Sequence, residues 1–219
     1  MARFARSFLV ALACALLTLV PAAAQTPEAS PVGPALEGLV EGASRQYSTD
    51  PELVPADDPE ALVVITAHLF RFDSDDHARD AYGTLTENAA GPLLGHPVPG
   101  EDGPEIEEAE IDDLGDQAHA VWLSATNEEE AVTGHFRLLY VQDGEFLILV
   151  TAIAGSEDAT GYADDIARVM TERDAGDGEV ETSEDGTSSG GIWEKFPPAD
   201  DDAIEGLTPF RDTYTTTAA

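Results

Sequence analysis

Apolar and polar positions are patterned most clearly between Ala131 and Ala154, AVTGHFRLLYVQDGEFLILVTAIA. Two β-branched and aromatic runs flank Gln142-Asp143-Gly144-Glu145. An Asp-Gly pair at the centre of such a turn meets the positive φ that a tight hairpin demands of both middle residues. Phe146 to Ile153 is apolar at nearly every position, which predicts a strand covered on both faces. The other folded segments pack around this hairpin.

Ala61 to Phe72, ALVVITAHLFRF, predicts the first strand. Asp73-Ser74 then offer an N-cap, with Asp75 and Asp76 where the helix dipole favours negative charge. Ala78, Ala81, Tyr82, Leu85 and Ala89 recur at helical spacing, predicting a helix of about four turns that ends near Asn88 and Gly91. Glu105 to Ile111 alternates apolar and acidic residues, as an edge strand with an acidic outer face does. Leu114-Gly115-Asp116 reads as a turn and Ala118 to Ala125 as the next strand. Ala159, Tyr162, Ala163, Ile166, Ala167, Val169 and Met170 form an apolar stripe, predicting an amphipathic helix from about Asp158 to Arg173 capped by Ser156.

The resulting fold class is α+β: an antiparallel sheet of about five strands with a central hairpin, flanked by two main helices. Residues 1–24 read as a signal peptide, 25–60 as a flexible N-terminus, 61–174 as the α+β domain, 175–191 as a disordered acidic Gly/Ser linker and 192–219 as a C-terminal tail. Within the N-terminal stretch, Ala35 to Ala43 carries apolar residues at 35, 36, 39, 40 and 43, the spacing of a short helix weakened by Gly38 and Gly42. Ser48 to Glu60 and Pro92 to Pro104 are Pro-bearing loops. Ala203-Ile204-Glu205-Gly206-Leu207, followed by Arg211 and Tyr214, echoes Ala35-Leu36-Glu37-Gly38-Leu39, followed by Arg45 and Tyr47. Two readings stand. One is the start of a second, uncompleted unit. The other is chance, with a tail whose Trp193, Phe196 and Phe210 dock back on the domain.

The signal assignment rests on Arg3 and Arg6 as a positive n-region, Phe8 to Val20 as an apolar h-region and Ala22-Ala23-Ala24 as a small-residue cleavage site. About 13 apolar residues are short for a bilayer span. The expected mature chain starts at Gln25, is exported to a periplasmic or extracellular compartment and has no membrane span. Cys14 lies inside the h-region, with Ala11 where a lipoprotein signal places Leu, so the expected mature chain has no thiol and no disulfide. The formal charge of -34 becomes -36 once Arg3 and Arg6 are removed, and Lys195 is the sole lysine. Such a surface repels nucleic-acid phosphates and anionic lipid. It also suits solubility in high salt.

The order of elements, with Asp113-Leu114-Gly115-Asp116-Gln117-Ala118, the hairpin and Tyr162-Ala163-Asp164-Asp165-Ile166-Ala167, resembles secreted bacterial α+β domains of the Mog1/PsbP-like type. It is similar also to the extracellular sensor-type domains of actinobacterial lipoproteins and receptor kinases. The likeness covers roughly Val63 to Arg173 and rests on short structural motifs. It implies an antiparallel sheet flanked by helices and an extracytoplasmic binding or accessory role, with no catalytic motif to carry over. Sensor-type members often contain cysteines, which the expected mature chain lacks.

Chemistry is sparse in the pattern. Of His68, His77, His96, His119 and His135, the three at 68, 119 and 135 fall on predicted strands, where adjacency would let them converge on a transition metal. No HxH or HxxxH spacing accompanies them. No Ser-x-x-Lys motif or glycine-rich phosphate loop occurs. Glu101 to Asp116 holds nine acidic residues in sixteen, and Asp174 to Asp185 is also dense, which raises Ca²⁺ as a ligand against the plainer reading of a solvated acidic surface. No catalytic, cofactor-binding or metal-ligating residue is assigned, and no cofactor. The function expected is an exported binding, sensor-like or accessory domain, whose partner is an unidentified protein or small molecule. The alternatives are an exported enzyme with an acidic site and a cation-binding surface protein.

Overall fold

The computed structural model describes residues 37–49, 63–87, 89, 105–127, 132–176, 180–182, 188–197, 204 and 206–216. The signal segment, His96, most of both Pro-bearing loops and Asp177-Gly178-Glu179 lie outside the described residues.

Seven strands form one antiparallel sheet: β1 (Leu39–Ser48), β2 (Val63–Phe72), β3 (Glu105–Glu110), β4 (Gln117–Asn127), β5 (Val132–Asp143), β6 (Phe146–Ala154) and a C-terminal strand, Thr208–Thr216. Helix α1 (Asp75–Thr86) follows β2, and α2 (Tyr162–Glu172) follows β6. Two two-residue strands, β7 (Glu181–Thr182) and β8 (Ser188–Ser189), pair with each other, so the C-terminal strand is β9. The sheet order is β3-β4-β5-β6-β2-β1-β9.

β6 is therefore the central strand, as its apolar run requires. Ile148, Val150, Ala152 and Ala154 face α2, while Leu147 and Ile153 face the side of α1. Ala163, Ile166, Ala167 and Met170 of α2 are fully buried on the first face, and Ala78, Ala81 and Tyr82 of α1 on the second. Period-2 strands between two period-3.6 helices give a helix–sheet–helix arrangement with a core on each side.

The expected five strands are corrected to seven, because two segments without a strand-like apolar pattern join the sheet. Residues 39–43, expected to be helical, and the expected flexible stretch up to Ser48 form β1, and the expected tail supplies β9. The reason lies in their inward positions. On the α2 face β1 presents Glu41, Ala43, Arg45 and Tyr47, so charged side chains interrupt the apolar alternation. β9 supplies the partners. Arg45 donates from Nε to Asp212 Oδ1 (2.8 Å) and from Nη2 to Asp212 Oδ2 (2.9 Å). It also donates to Ser188 O (2.7 Å) and Pro197 O (3.1 Å). Its guanidinium lies over Trp193 and Phe196, 5.1 and 5.5 Å from the ring centroids. Trp193 and Phe196 are buried in the α2-side core. Both glycines of the echoed Glu-Gly-Leu triplets have positive φ, Gly38 at 77° and Gly206 at 87°, just before β1 and β9. The echo thus marks two equivalent strand entries.

Lys195 is also buried. It donates to Asp143 Oδ2 (3.0 Å) and to Met170 O (3.1 Å), one of the last carbonyls of α2 that lack an intrahelical partner. Two further expectations shift by a residue or more. Asp143 pairs with Phe146, so the hairpin loop is Gly144-Glu145, and Gly144 (φ 57°) alone takes positive φ, the Gly-first pattern of a type II′ turn. Ahead of α2, Asp158–Gly161 forms a 3₁₀ turn, and Ser156 is not its cap. At α1 the expected cap is present: the Ser74 hydroxyl accepts from His77 N.

Candidate functional site

Helix α2 packs on β6, β5 and β2, leaving the same face of β4 and β3 without a helix over it. The register sets the side chains of that open area in rows. Glu107 of β3, Trp122 of β4 and Arg137 of β5 are successive cross-strand partners, and Ser124 pairs with His135 in the next row. Where the covered part of this face carries Ile, Val and Ala, this part carries Trp, Ser, His and Arg.

A cleft of about 510 Å³ lies over these rows. Its lining includes Glu107, Trp122, Ser124 and His135 from the sheet, with Glu157 and Thr160 from the 3₁₀ turn. That volume is within the range of small-molecule sites. The turn is held in place locally, since the buried Thr160 hydroxyl donates to Glu157 O (2.7 Å).

Beside the cleft, Arg137 lays its guanidinium over Trp122, 4.6 Å from the ring centroid. Its Nη2 is 2.8 Å from Asp164 Oδ1 in the first turn of α2. The contact has ion-pair distance without hydrogen-bond alignment, so Arg137 Nε and Asp164 Oδ1 are buried with no hydrogen-bond partner among the described residues. Burial pulls the Arg137 pKa below its ordinary value and pushes that of Asp164 up, each partly offset by the other's charge. This pair fixes the indole and ties the cleft wall to α2.

The histidines do not converge. His68 and His119 share the α1 face, but the row His68–Leu149–Tyr140–His119 puts three strand spacings, about 14 Å, between them. His135 is on the opposite face. His68 is buried and stacked on Phe70, and desolvation pulls its pKa down to about 4. His119 Nε2 is 3.3 Å from Glu108 Oε2. His77 pairs with Asp73 at the start of α1, and that hydrogen bond raises its pKa. No group of three or more His, Cys, Asp or Glu side chains able to hold a metal ion occurs among the described residues. The acidic residues of 105–116 are divided: Glu107 and Glu108 point to opposite faces of β3, and Asp116 is engaged with the hairpin turn.

Sequence reasoning named His135 but missed Trp122, Ser124, Arg137, Glu157 and Thr160. A signal was present: on β5, His135 and Arg137 alternate with Phe136 and Leu138 just before the apolar run Leu138 to Val141.

No family model matches the sequence, and no curated protein matches it. Among solved structures, the chain is similar to the extracellular domain of PknH from Mycobacterium tuberculosis, at 13% identity and a TM-score of 0.32. That match covers 50% of this chain and 55% of the other, so the chain spans about half of that domain. It is similar also to a Pseudomonas aeruginosa protein of unknown function, at 15% identity and a TM-score of 0.30, covering 64% of this chain and 85% of that one. No helix among the described residues is long and apolar enough to cross a membrane.

Proposed function

We propose that this protein is an exported α+β binding module, sensor-like or accessory in role, whose ligand occupies the cleft over β3, β4 and β5. The observation that carries the reading is the sheet area floored by Trp122, beyond the reach of α2, where Ser124 and His135 line a cleft. Export is supported by the n-, h- and cleavage regions of residues 1–24, with the mature chain starting at Gln25. The strongly negative surface supports an aqueous ligand or protein partner over nucleic acid or anionic lipid.

The test is thermal stabilisation by a panel of small polar molecules spanning positive, neutral and negative charge, because a ligand that binds only the native state raises its midpoint. A hit is expected to lose its effect in Trp122→Leu and in Ser124→Tyr, which fills the cleft. A hit that stabilises both variants as well as the parent would place its site elsewhere and overturn the assignment. A panel with no hit would count against a small-molecule ligand in this cleft.

A further inference from the structure

Resting on that reading of the cleft, we infer the class of ligand it takes: a guanidinium or alkylammonium cation with an apolar or planar body. The lining carries the carboxylates of Glu107 and Glu157 and no Lys or Arg; Glu108 borders the cleft too, but its carboxylate points to the opposite face. Glu108 is engaged by His119, whereas Glu107 and Glu157 have no ion-pair partner among the described residues. Glu107 on β3 and Glu157 at the N-cap of the 3₁₀ turn, both exposed, thus border the Trp122 floor without an ion-pair partner.

That floor is an indole already used by the protein as a cation platform. Arg137 lies over Trp122 within the distance at which a ring quadrupole attracts a guanidinium. The molecule repeats this choice around Arg45, whose guanidinium rests on Trp193 and Phe196. Ala109 and the Trp122 indole suit the apolar body of such a ligand. The protein's net negative charge adds a long-range field that concentrates cations and excludes anions. A free diamine or guanidine and an arginine side chain on a peptide present the same group, and the experiment separates them.

The mature protein is titrated with agmatine, with N-acetyl-Gly-Arg-Gly-amide and with the citrulline analogue of that peptide, at low and matched ionic strength. Amide and indole chemical shifts are the readout. The inference predicts shifts confined to residues 107–109, 122–124, 135–136 and 157–160 with agmatine or the arginine peptide, and at least roughly tenfold weaker binding of the citrulline peptide. Binding by agmatine alone identifies a small-molecule source, and binding by the peptide alone a polypeptide side chain. Glu107→Gln and Glu157→Gln, both changes of charge with little change of shape, are each expected to weaken binding about two- to fivefold. Equal binding of arginine and citrulline peptides would overturn the cation class while leaving the cleft as a ligand site. Shifts scattered over the acidic surface, or none with any of the three probes, would also overturn it. Failure of the cleft itself would appear separately, as hits in the wider panel that ignore Trp122→Leu and Ser124→Tyr.

Discussion

The Arg45 and Asp212 side chains are each 3% exposed, and one bidentate pair joins the first strand of the sheet to the last. Burial works against the Arg45 charge, yet the Asp212 hydrogen bond and its companions outweigh it and raise the pKa. Removing one partner leaves the other charge desolvated and alone. Asp212→Ala is therefore expected to lower the unfolding free energy by about 3–5 kcal/mol, measured by urea denaturation, with Arg45→Met/Asp212→Leu recovering most of the loss. His68 makes a different statement. Its folded pKa of about 4 lies below the ordinary 6.5, so protons bind the unfolded chain more readily. Its contribution is complete above about pH 6.5 and is lost as the pH falls toward 4. Between pH 7 and 5 the loss is about 2 kcal/mol. His68→Leu is expected to flatten that part of the stability–pH curve. His77 runs the opposite way: its Asp73-raised pKa gives support that is present at low pH and lost as the pH rises through the folded value.

At the scale of elements, the turn between β3 and β4 is docked on the hairpin turn between β5 and β6. Asp116 N donates to Gln142 O (2.8 Å), and Asp116 Oδ2 accepts from Gly144 N (3.0 Å) and Gln142 Nε2 (3.3 Å). Gly115 has φ 59°, and a Cβ there would stand 2.6 Å from Gln142 O. Gly144 has φ 57° in open space. Gly115→Ala is thus expected to exceed the roughly 1–2 kcal/mol that left-handed backbone costs Gly144→Ala, with equilibrium unfolding as the check. The Leu114-Gly115-Asp116 turn, the hairpin, the acidic edge strand and both helices were legible because each joins a clean period to a stop signal. β1 and β9 were not, because inward residues such as Glu41, Arg45 and Asp212 are polar and find partners only once the two strands are brought together with their neighbours. A single strand read alone shows Arg45 or Asp212 as a surface charge. The cleft was hidden for a related reason: Glu107, Trp122, Ser124 and His135 belong to three strands, and only the register makes them neighbours.

For the molecule as a whole, a formal charge of -34 on a chain with ten Lys and Arg predicts self-repulsion that salt relieves. The carboxylates of β3 face opposite ways and Asp116 is committed to a turn. Unfolding midpoints are accordingly expected to rise alike in NaCl and CaCl₂ at matched ionic strength; an added rise at millimolar Ca²⁺ would mean a native-state cation site. The uncovered end of the sheet offers an aromatic and several polar groups to a ligand. The two tryptophans test that claim most directly. Trp122 lines the cleft, and Trp193 is 2% exposed in the core beneath Arg45. Following both indole N–H resonances during titration with the ligand panel is expected to show Trp122 moving and saturating while Trp193 stays fixed. A ligand that saturates with Trp122 unmoved would contradict the assignment of the cleft as the binding site.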